Sequence, residues 1–266
     1  MKVIDLYYKD SDLRCYHKNI FDTTRNYLNH FPSEYSECFN RNLDTLEIIK
    51  VDKLPDEMYT GMYNPEMNIL VFSTNNSLGH EMFHMASNDT VNKQNAYSTK
   101  LDIEEGLIEG MTEYSCMKAY NLNKPGSYPF EVFTVTMLED IPNIFRPYFI
   151  PSKRGLIDLF PNRKDIYGLL YSLNTYNKIM LDYLSNIYMN TDYLIDLTEF
   201  MSSIRYTLDN LINIELSFEK DPHKLKLYKE KFMDLLSSES VYNTISRMYP
   251  NYKKYALRKI NNKIKG

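Results

Sequence analysis

The sequence predicts an α+β fold, in which a small, mostly antiparallel sheet packs on two helices and an all-helical C-terminal part follows. Three short apolar runs between residues 46 and 73 have the composition of β-strands. Residues 77–87, residues 107–122 and most of the chain beyond residue 125 have apolar side chains at helical spacing. A chain of 266 residues can form one large domain or two small ones. We expect an N-terminal subdomain at residues 1–124 and a helical C-terminal subdomain at residues 125–266.

The first part of the chain predicts one helix and three strands. Apolar residues at helical spacing predict a helix over residues 11–28. Residues 46–51 predict a strand, and residues 58–63 and 69–73 predict a hairpin, because Asn-Pro-Glu-Met-Asn between them is typical of a turn. The edge strand of such a sheet offers backbone groups that can hold a peptide in extended form. An ordinary hairpin that covers the core fits the same residues.

The second part of the chain predicts helices throughout. Helices are expected over residues 129–139, 163–188, 192–208 and 222–236. The last of these should begin at Pro222, because Asp221 is a good N-cap and proline suits the first helical position. The tail at residues 253–265 has six basic residues and no acidic one. That tail is either a contact for nucleic acid or an acidic membrane surface, or an exposed helix end.

Composition excludes several classes of protein. The net charge of −4 argues against a general nucleic-acid binder. The first residues lack an apolar signal core, and the chain has no run of about 18 apolar residues, so we expect no membrane span. The three cysteines, Cys15, Cys38 and Cys116, form no Cys-x-x-Cys pair, so a disulfide framework is not expected. We therefore expect a reducing, cytoplasmic location.

The motif His-Glu-x-x-His occupies residues 80–84. On a helix, His80 and His84 share one face and can direct two imidazoles at one metal ion. Glu81 lies about 100° around the helix from His80, so its carboxylate can reach a water on that ion without displacing the water. This is the arrangement of zinc hydrolases. The alternative is a buried amphipathic helix in which the two histidines are only hydrogen-bonded.

A second acidic pair lies on the following helix. Glu109 and Glu113 are four residues apart, so both carboxylates lie on one helix face and repel each other. A zinc ion with histidine ligands would relieve that repulsion. The alternative is an exposed acidic start of a helix, shared with Glu104 and Glu105 and favoured by the helix dipole.

Together, these motifs resemble those of the gluzincin metallopeptidases, the thermolysin-like clan. The resemblance lies in His-Glu-x-x-His followed by Glu-Gly-x-x-Glu-Tyr at residues 109–114, and it covers roughly residues 58–120. Residues 106–114 are similar to short gluzincin-like domains of Gram-positive bacteria, which typically show Leu-Asn-Glu-Gly-x-Thr-Glu-Tyr. The resemblance implies that Glu109 is the third zinc ligand. It also implies that Glu113 hydrogen-bonds a ligand histidine, which orients the imidazole and fixes its tautomer.

The chain departs from that pattern at several points. Ile108 stands where the family usually has asparagine before the ligand glutamate, and the gap between His84 and Glu109 is longer than in thermolysin. Glu105 is the alternative third ligand, because Glu105-Gly106-Leu107 resembles the Glu-Gly-x of aminopeptidase relatives. Glu109 is preferred because only it brings both the following Glu-Tyr and an acid four residues later; with Glu105 as the ligand, Glu109 itself would be the acid that hydrogen-bonds a ligand histidine.

We therefore expect a zinc-dependent metallopeptidase that acts on a peptide or protein substrate. Glu81 would be the general base that activates a zinc-bound water. In gluzincins a tyrosine or histidine after the third ligand stabilises the oxyanion. Tyr148 is a candidate here, although it is equally a candidate core aromatic. The alternatives are a catalytically silent, zinc-stabilised binding or regulatory module, and a helical scaffold that binds no metal.

Overall fold

The computed structural model describes most of the chain. The described residues are 11–54, 59–93, 96, 103–152, 155–188, 196–219, 221–247, 250, 251, 254, 255, 258 and 262. The start of the helix predicted at 192–208 and most of the basic tail at 253–265 lie outside them. None of the described helices combines the length and the apolar character needed to cross a bilayer.

The described residues form ten α-helices and three β-strands, with short 3₁₀ turns at Ser33–Ser36 and Ile157–Leu159. The strands are β1 Glu47–Lys50, β2 Gly61–Asn64 and β3 Ile69–Phe72. The first five helices are α1 Ser11–Leu28, α2 Glu37–Leu43, α3 Asn75–Ala86, α4 Glu105–Tyr120 and α5 Pro129–Leu138. The other five are α6 Arg146–Phe149, α7 Arg163–Tyr188, α8 Leu197–Phe218, α9 Pro222–Leu236 and α10 Glu239–Ser246. This architecture confirms the predicted α+β class with a helical C-terminal part.

The sheet is small and mixed, with the strand order β1-β3-β2. The predicted hairpin is confirmed, since β2 and β3 pair antiparallel with Met62 opposite Val71. Its turn contains Asn68 at φ 52°, a left-handed conformation that asparagine adopts more readily than most residues. By contrast, β1 pairs parallel with β3, so the sheet has one antiparallel and one parallel pair. Helix α3 packs against both hairpin strands.

The residues group into two compact units, which are interleaved along the chain. The first unit comprises the described residues within Met1–Ser98, Thr112–Asn123 and Phe145–Gly155. The second comprises the described residues within Thr99–Met111, Lys124–Ile144 and Leu156–Gly266. Helix α4 contributes residues to both units. The predicted subdomain boundary between residues 124 and 125 stays a prediction.

The core of the first unit is built around α3. Phe83 is fully buried, and its ring meets Tyr27 of α1 edge-on at 5.5 Å between ring centroids. Phe31, after α1, lies 5.8 Å from the ring of Phe149 in α6. Helix α3 also packs against α1, α2 and both hairpin strands, so it has little freedom to shift along its axis.

The core of the second unit is aromatic and helical. Tyr176 of α7 packs against Phe130 of α5 at 4.6 Å and against Phe200 of α8 at 5.6 Å. The predicted helices at 163–188 and 222–236 are confirmed at both ends. Helix α8 instead continues ten residues beyond the predicted end at residue 208, because its buried apolar stripe runs on through Leu211 and Ile214.

Candidate metal centre

Helix α3 holds the His-Glu-x-x-His motif, and its two ends are fixed by different neighbours. It begins at Asn75, with Thr74 in the extended N-cap position. Ser77 lies in the first turn, where its hydroxyl donates to Thr60 O at 2.7 Å. At the other end, the buried amide of Asn42 in α2 donates to Met85 O at 2.9 Å and to Asn88 O at 2.7 Å. These bonds satisfy carbonyl groups that a helix end leaves unpaired.

The two histidines converge through the same ring atom. The Nε2 atoms of His80 and His84 are 3.1 Å apart. The Nδ1 atoms point to α4: that of His80 lies 2.9 Å from Glu113 Oε2, and that of His84 lies 3.4 Å from Thr112 Oγ1. Each imidazole thus has one nitrogen bound to the protein and the other directed at a shared point.

The side chain of Glu109 reaches the same point. One ligand atom from each of His80, His84 and Glu109 lies within 4.8 Å of the other two, and all three residues are partly buried. Glu109 precedes Glu113 by one turn of the continuous helix α4, which explains how one helix offers a candidate ligand and a partner for His80. Glu105, the alternative ligand, is the first residue of α4, is exposed, and does not belong to this group.

Glu81 lies against the sheet edge. The residue is 7% exposed and packs beside β2, the edge strand on the hairpin side. A Cβ atom on Gly61 would lie 2.8 Å from Glu81 Cγ and 2.9 Å from Glu81 Oε1. Only glycine leaves this space, so the Glu81 carboxylate can lie against the backbone of β2. No local pattern in the sequence predicts this role for Gly61.

Tyr148 lies in the core of the first unit. It is fully buried, its hydroxyl is 2.6 Å from Thr112 Oγ1, and it donates to Phe83 O at 3.3 Å. The hydroxyl is therefore on the Nδ1 side of His84. Thr112 belongs to the motif that carries the family resemblance, but its position between His84 and Tyr148 follows only from the fold.

Burial, together with the negative charge of the α4 glutamates, raises the pKa of two groups, Cys116 in α4 itself and Glu131 in α5. Burial, and then the charge of Glu113, raises the pKa of the Cys116 thiol to about 12. Burial, with a further contribution from the charge of Glu109, raises the pKa of Glu131 in α5 to about 8. A divalent cation held by Glu109 would offset that charge.

The donor set fits a catalytic zinc site. Two imidazole nitrogens and one carboxylate are a known ligand set for catalytic zinc, with an open position for water. Two nitrogens bound at about 2.0–2.1 Å in tetrahedral geometry lie about 3.3 Å apart, close to the 3.1 Å between the Nε2 atoms. The arrangement can therefore accept zinc without a large movement of the histidines.

Comparison with protein-family models, with curated proteins and with solved structures gives no match for this chain. The resemblance to gluzincins therefore rests on the residues of the two motifs, and membership of that family stays a prediction.

Proposed function

We propose that this protein is a zinc-dependent metallopeptidase. The observation that carries the proposal is the convergence of one ring nitrogen each from His80 and His84 and a carboxylate oxygen of Glu109 within 4.8 Å. Nδ1 of each histidine has a partner on α4, and the two Nε2 atoms lie 3.1 Å apart, so the Nε2 atoms are the proposed metal ligands. A buried helix with histidines that only hydrogen-bond would not require a third converging ligand atom.

In the proposed reaction, His80, His84 and Glu109 hold the zinc ion. When bound, zinc supplies Lewis acidity, which lowers the pKa of a bound water and polarises a carbonyl group. Glu81 lies next to His80 and accepts a proton from the attacking water, which then adds to the carbonyl carbon of the peptide bond. The carboxyl of Glu81 next returns that proton to the leaving amine as the C–N bond breaks. Glu113 keeps His80 oriented through the bond to its Nδ1 atom.

An extended peptide is the proposed substrate. Strand β2 is an edge of the sheet, and its first residue, Gly61, packs against Glu81. A peptide that paired with an edge strand there would have its backbone close to the proposed general base.

The proposed location is a reducing, cytoplasmic compartment, consistent with Cys38 and Cys116 as free thiols.

The test is Glu81→Gln, with zinc content and cleavage of casein or a peptide library measured together. We expect the wild-type protein to contain one zinc and to cleave, and Glu81→Gln to keep its zinc while losing about 100-fold or more of its activity. Glu105→Gln, on an exposed residue outside the ligand group, is the matched control and should cleave like wild type.

Wild-type activity in Glu81→Gln would contradict the role of Glu81 as general base. Stoichiometric zinc without any cleavage by the wild-type protein would instead support the zinc-stabilised binding module. A wild-type protein that takes up no zinc would remove both and leave the metal-free scaffold.

A further inference from the structure

The two histidines of the candidate centre have different partners behind them. His80 Nδ1 meets the carboxylate of Glu113, whereas His84 Nδ1 meets the neutral hydroxyl of Thr112. That hydroxyl is in turn 2.6 Å from the hydroxyl of Tyr148, which donates to Phe83 O at 3.3 Å. Thr112 and Tyr148 are both fully buried, so these bonds form away from bulk water.

The position of the Thr112 hydroxyl suits one tautomer of His84. Tyr148 donates to Phe83 O at 3.3 Å, and Thr112 Oγ1 lies between Tyr148 Oη and His84 Nδ1. A threonine hydroxyl has two lone pairs, so Thr112 Oγ1 can accept from a protonated Nδ1 whichever group takes its own proton. When Nδ1 carries the proton of a neutral imidazole, Nε2 has a lone pair for a metal.

We propose that Thr112 and Tyr148 are positioning residues that hold His84 in the Nδ1–H tautomer, with its Nε2 lone pair directed at the metal point. The inference rests on the proposed zinc site. It gives Tyr148 a role different from the oxyanion donor that the sequence suggested, because the Tyr148 hydroxyl is buried behind His84, on its Nδ1 side. A ligand histidine bound to a neutral acceptor needs such support, since a hydroxyl, unlike a carboxylate, can also donate.

The chain contains a similar hydroxyl pair that does not involve a histidine. Thr24 of α1 is fully buried, its Oγ1 is 3.4 Å from the hydroxyl of Tyr120, and that hydroxyl donates to Ile20 O at 3.2 Å. Thr24→Val therefore removes a buried threonine hydroxyl from the same kind of pair. It is a matched control for any general loss of stability.

The experiment compares Thr112→Val, Thr112→Ser, Tyr148→Phe and Thr24→Val with the wild-type protein. Zinc affinity is measured by competition with a chromogenic chelator, and the tautomer of His84 by ¹⁵N NMR of the imidazoles in the metal-free protein. Thr112→Val and Tyr148→Phe should weaken zinc binding by about 10- to 100-fold and add the Nε2–H tautomer at His84. Thr112→Ser and Thr24→Val should keep the wild-type affinity and tautomer.

The inference is overturned if Thr112→Val and Tyr148→Phe lower only the melting temperature of the metal-free protein, while zinc affinity and the His84 tautomer stay as in wild type. An Nε2–H tautomer at His84 in the wild-type protein would overturn it as well. Failure of the proposed function has a different signature, because the wild-type protein would then bind no zinc whichever tautomer His84 adopts. If Thr112→Val does not fold, zinc affinity and the tautomer of His84 are measured on Tyr148→Phe instead.

Discussion

Glu113 and Glu131 are both buried carboxyl groups, at 6% and 2% exposure, but their surroundings differ. Glu113, in the first unit, lies 2.9 Å from His80 Nδ1. Glu131, in the second unit, is buried in α5, and burial followed by the charge of Glu109 raises its pKa to about 8. A buried carboxyl that has a hydrogen-bond donor can orient that donor, whereas one without a cation stays protonated near neutral pH.

The largest effect expected from this comparison is on the pH dependence of stability. Glu131 has a folded-state pKa of about 8 against an ordinary value of 4.5, so the folded protein binds more protons than the unfolded chain between those values. Its contribution to stability is therefore complete below about pH 4.5 and is lost as the pH rises towards 8. Over this pH range we expect the wild-type protein to lose on the order of a few kcal/mol of unfolding free energy through Glu131, and Glu131→Gln should remove that loss.

The measurement for Glu131 is the free energy of unfolding in urea at about pH 5, 7 and 9. Glu230→Gln, which changes an exposed glutamate of α9, should keep the wild-type slope. If the free energy of unfolding changes equally with pH in wild type and Glu131→Gln, Glu131 ionises normally in the folded protein. The contrast drawn between Glu131 and Glu113 would then be wrong.

Removal of the Glu113 carboxylate should act on the metal centre instead. Glu113→Leu leaves His80 Nδ1 without its acceptor, so zinc affinity should fall by about 10- to 100-fold, or roughly 1.4–2.7 kcal/mol. Glu113→Gln keeps an acceptor oxygen but loses the charge, and its affinity should lie between those of Glu113→Leu and wild type. Chelator competition measures all three. An unchanged affinity in Glu113→Leu would mean that the carboxyl does not orient His80.

Close packing at Gly110 should contribute a smaller effect. A Cβ atom there would lie 2.7 Å from the backbone oxygen of Glu131, which cannot rotate away. Gly110→Ala should therefore destabilise the protein by about 1 kcal/mol, after the gain in helix propensity is subtracted from the strain. Gly168→Ala is the control, because its Cβ would meet only the side-chain tip of Asn210 at 2.8 Å. Thermal unfolding that ranks Gly110→Ala at or above Gly168→Ala would contradict this account.

The smallest expected effect is on the reactivity of Cys116. Burial, and secondly Glu113, raises the pKa of this thiol to about 12, so alkylation by iodoacetamide at about pH 8 should be very slow in the folded protein. Glu113→Gln removes only the second cause and should accelerate labelling slightly. Mass spectrometry of timed samples gives the rate, with the unfolded chain as the reference for full reactivity. Faster labelling of folded wild type than of Glu113→Gln would reverse the predicted sign.

Much of the fold follows from local patterns, because long amphipathic helices and a turn with Asn-Pro carry their own signals. Helix α7 and the hairpin of β2 and β3 are of this kind. Helices α2, α6 and α10 were not predicted, since each is eight residues or shorter and too short for a clear apolar period. The parallel pairing of β1 with β3 joins strands that are not consecutive in the sequence, so no local pattern predicts it.

The candidate site divides in the same way. His80, Glu81 and His84 were found because their spacing is a local, helical property, and Glu109 and Glu113 because they repeat that spacing on a second helix. Gly61, Asn42 and Thr112 were missed as functional residues. Their importance depends on close approaches between distant segments, such as the 43 residues that separate Asn42 from Met85.

The bond between Asn42 and the end of α3 would link retention of the proposed zinc ion to α2, which supplies none of the proposed ligands. Asn42 donates to the carbonyl of Met85, in the last turn of α3 with His84, and to the carbonyl of Asn88, just beyond that turn. Transient opening of α2 would therefore let that turn fray and would free one imidazole before the other. In a zinc-loaded protein, the rate of zinc exchange would then be set by local unfolding of the seven-residue helix α2, and not by dissociation of the ligands alone.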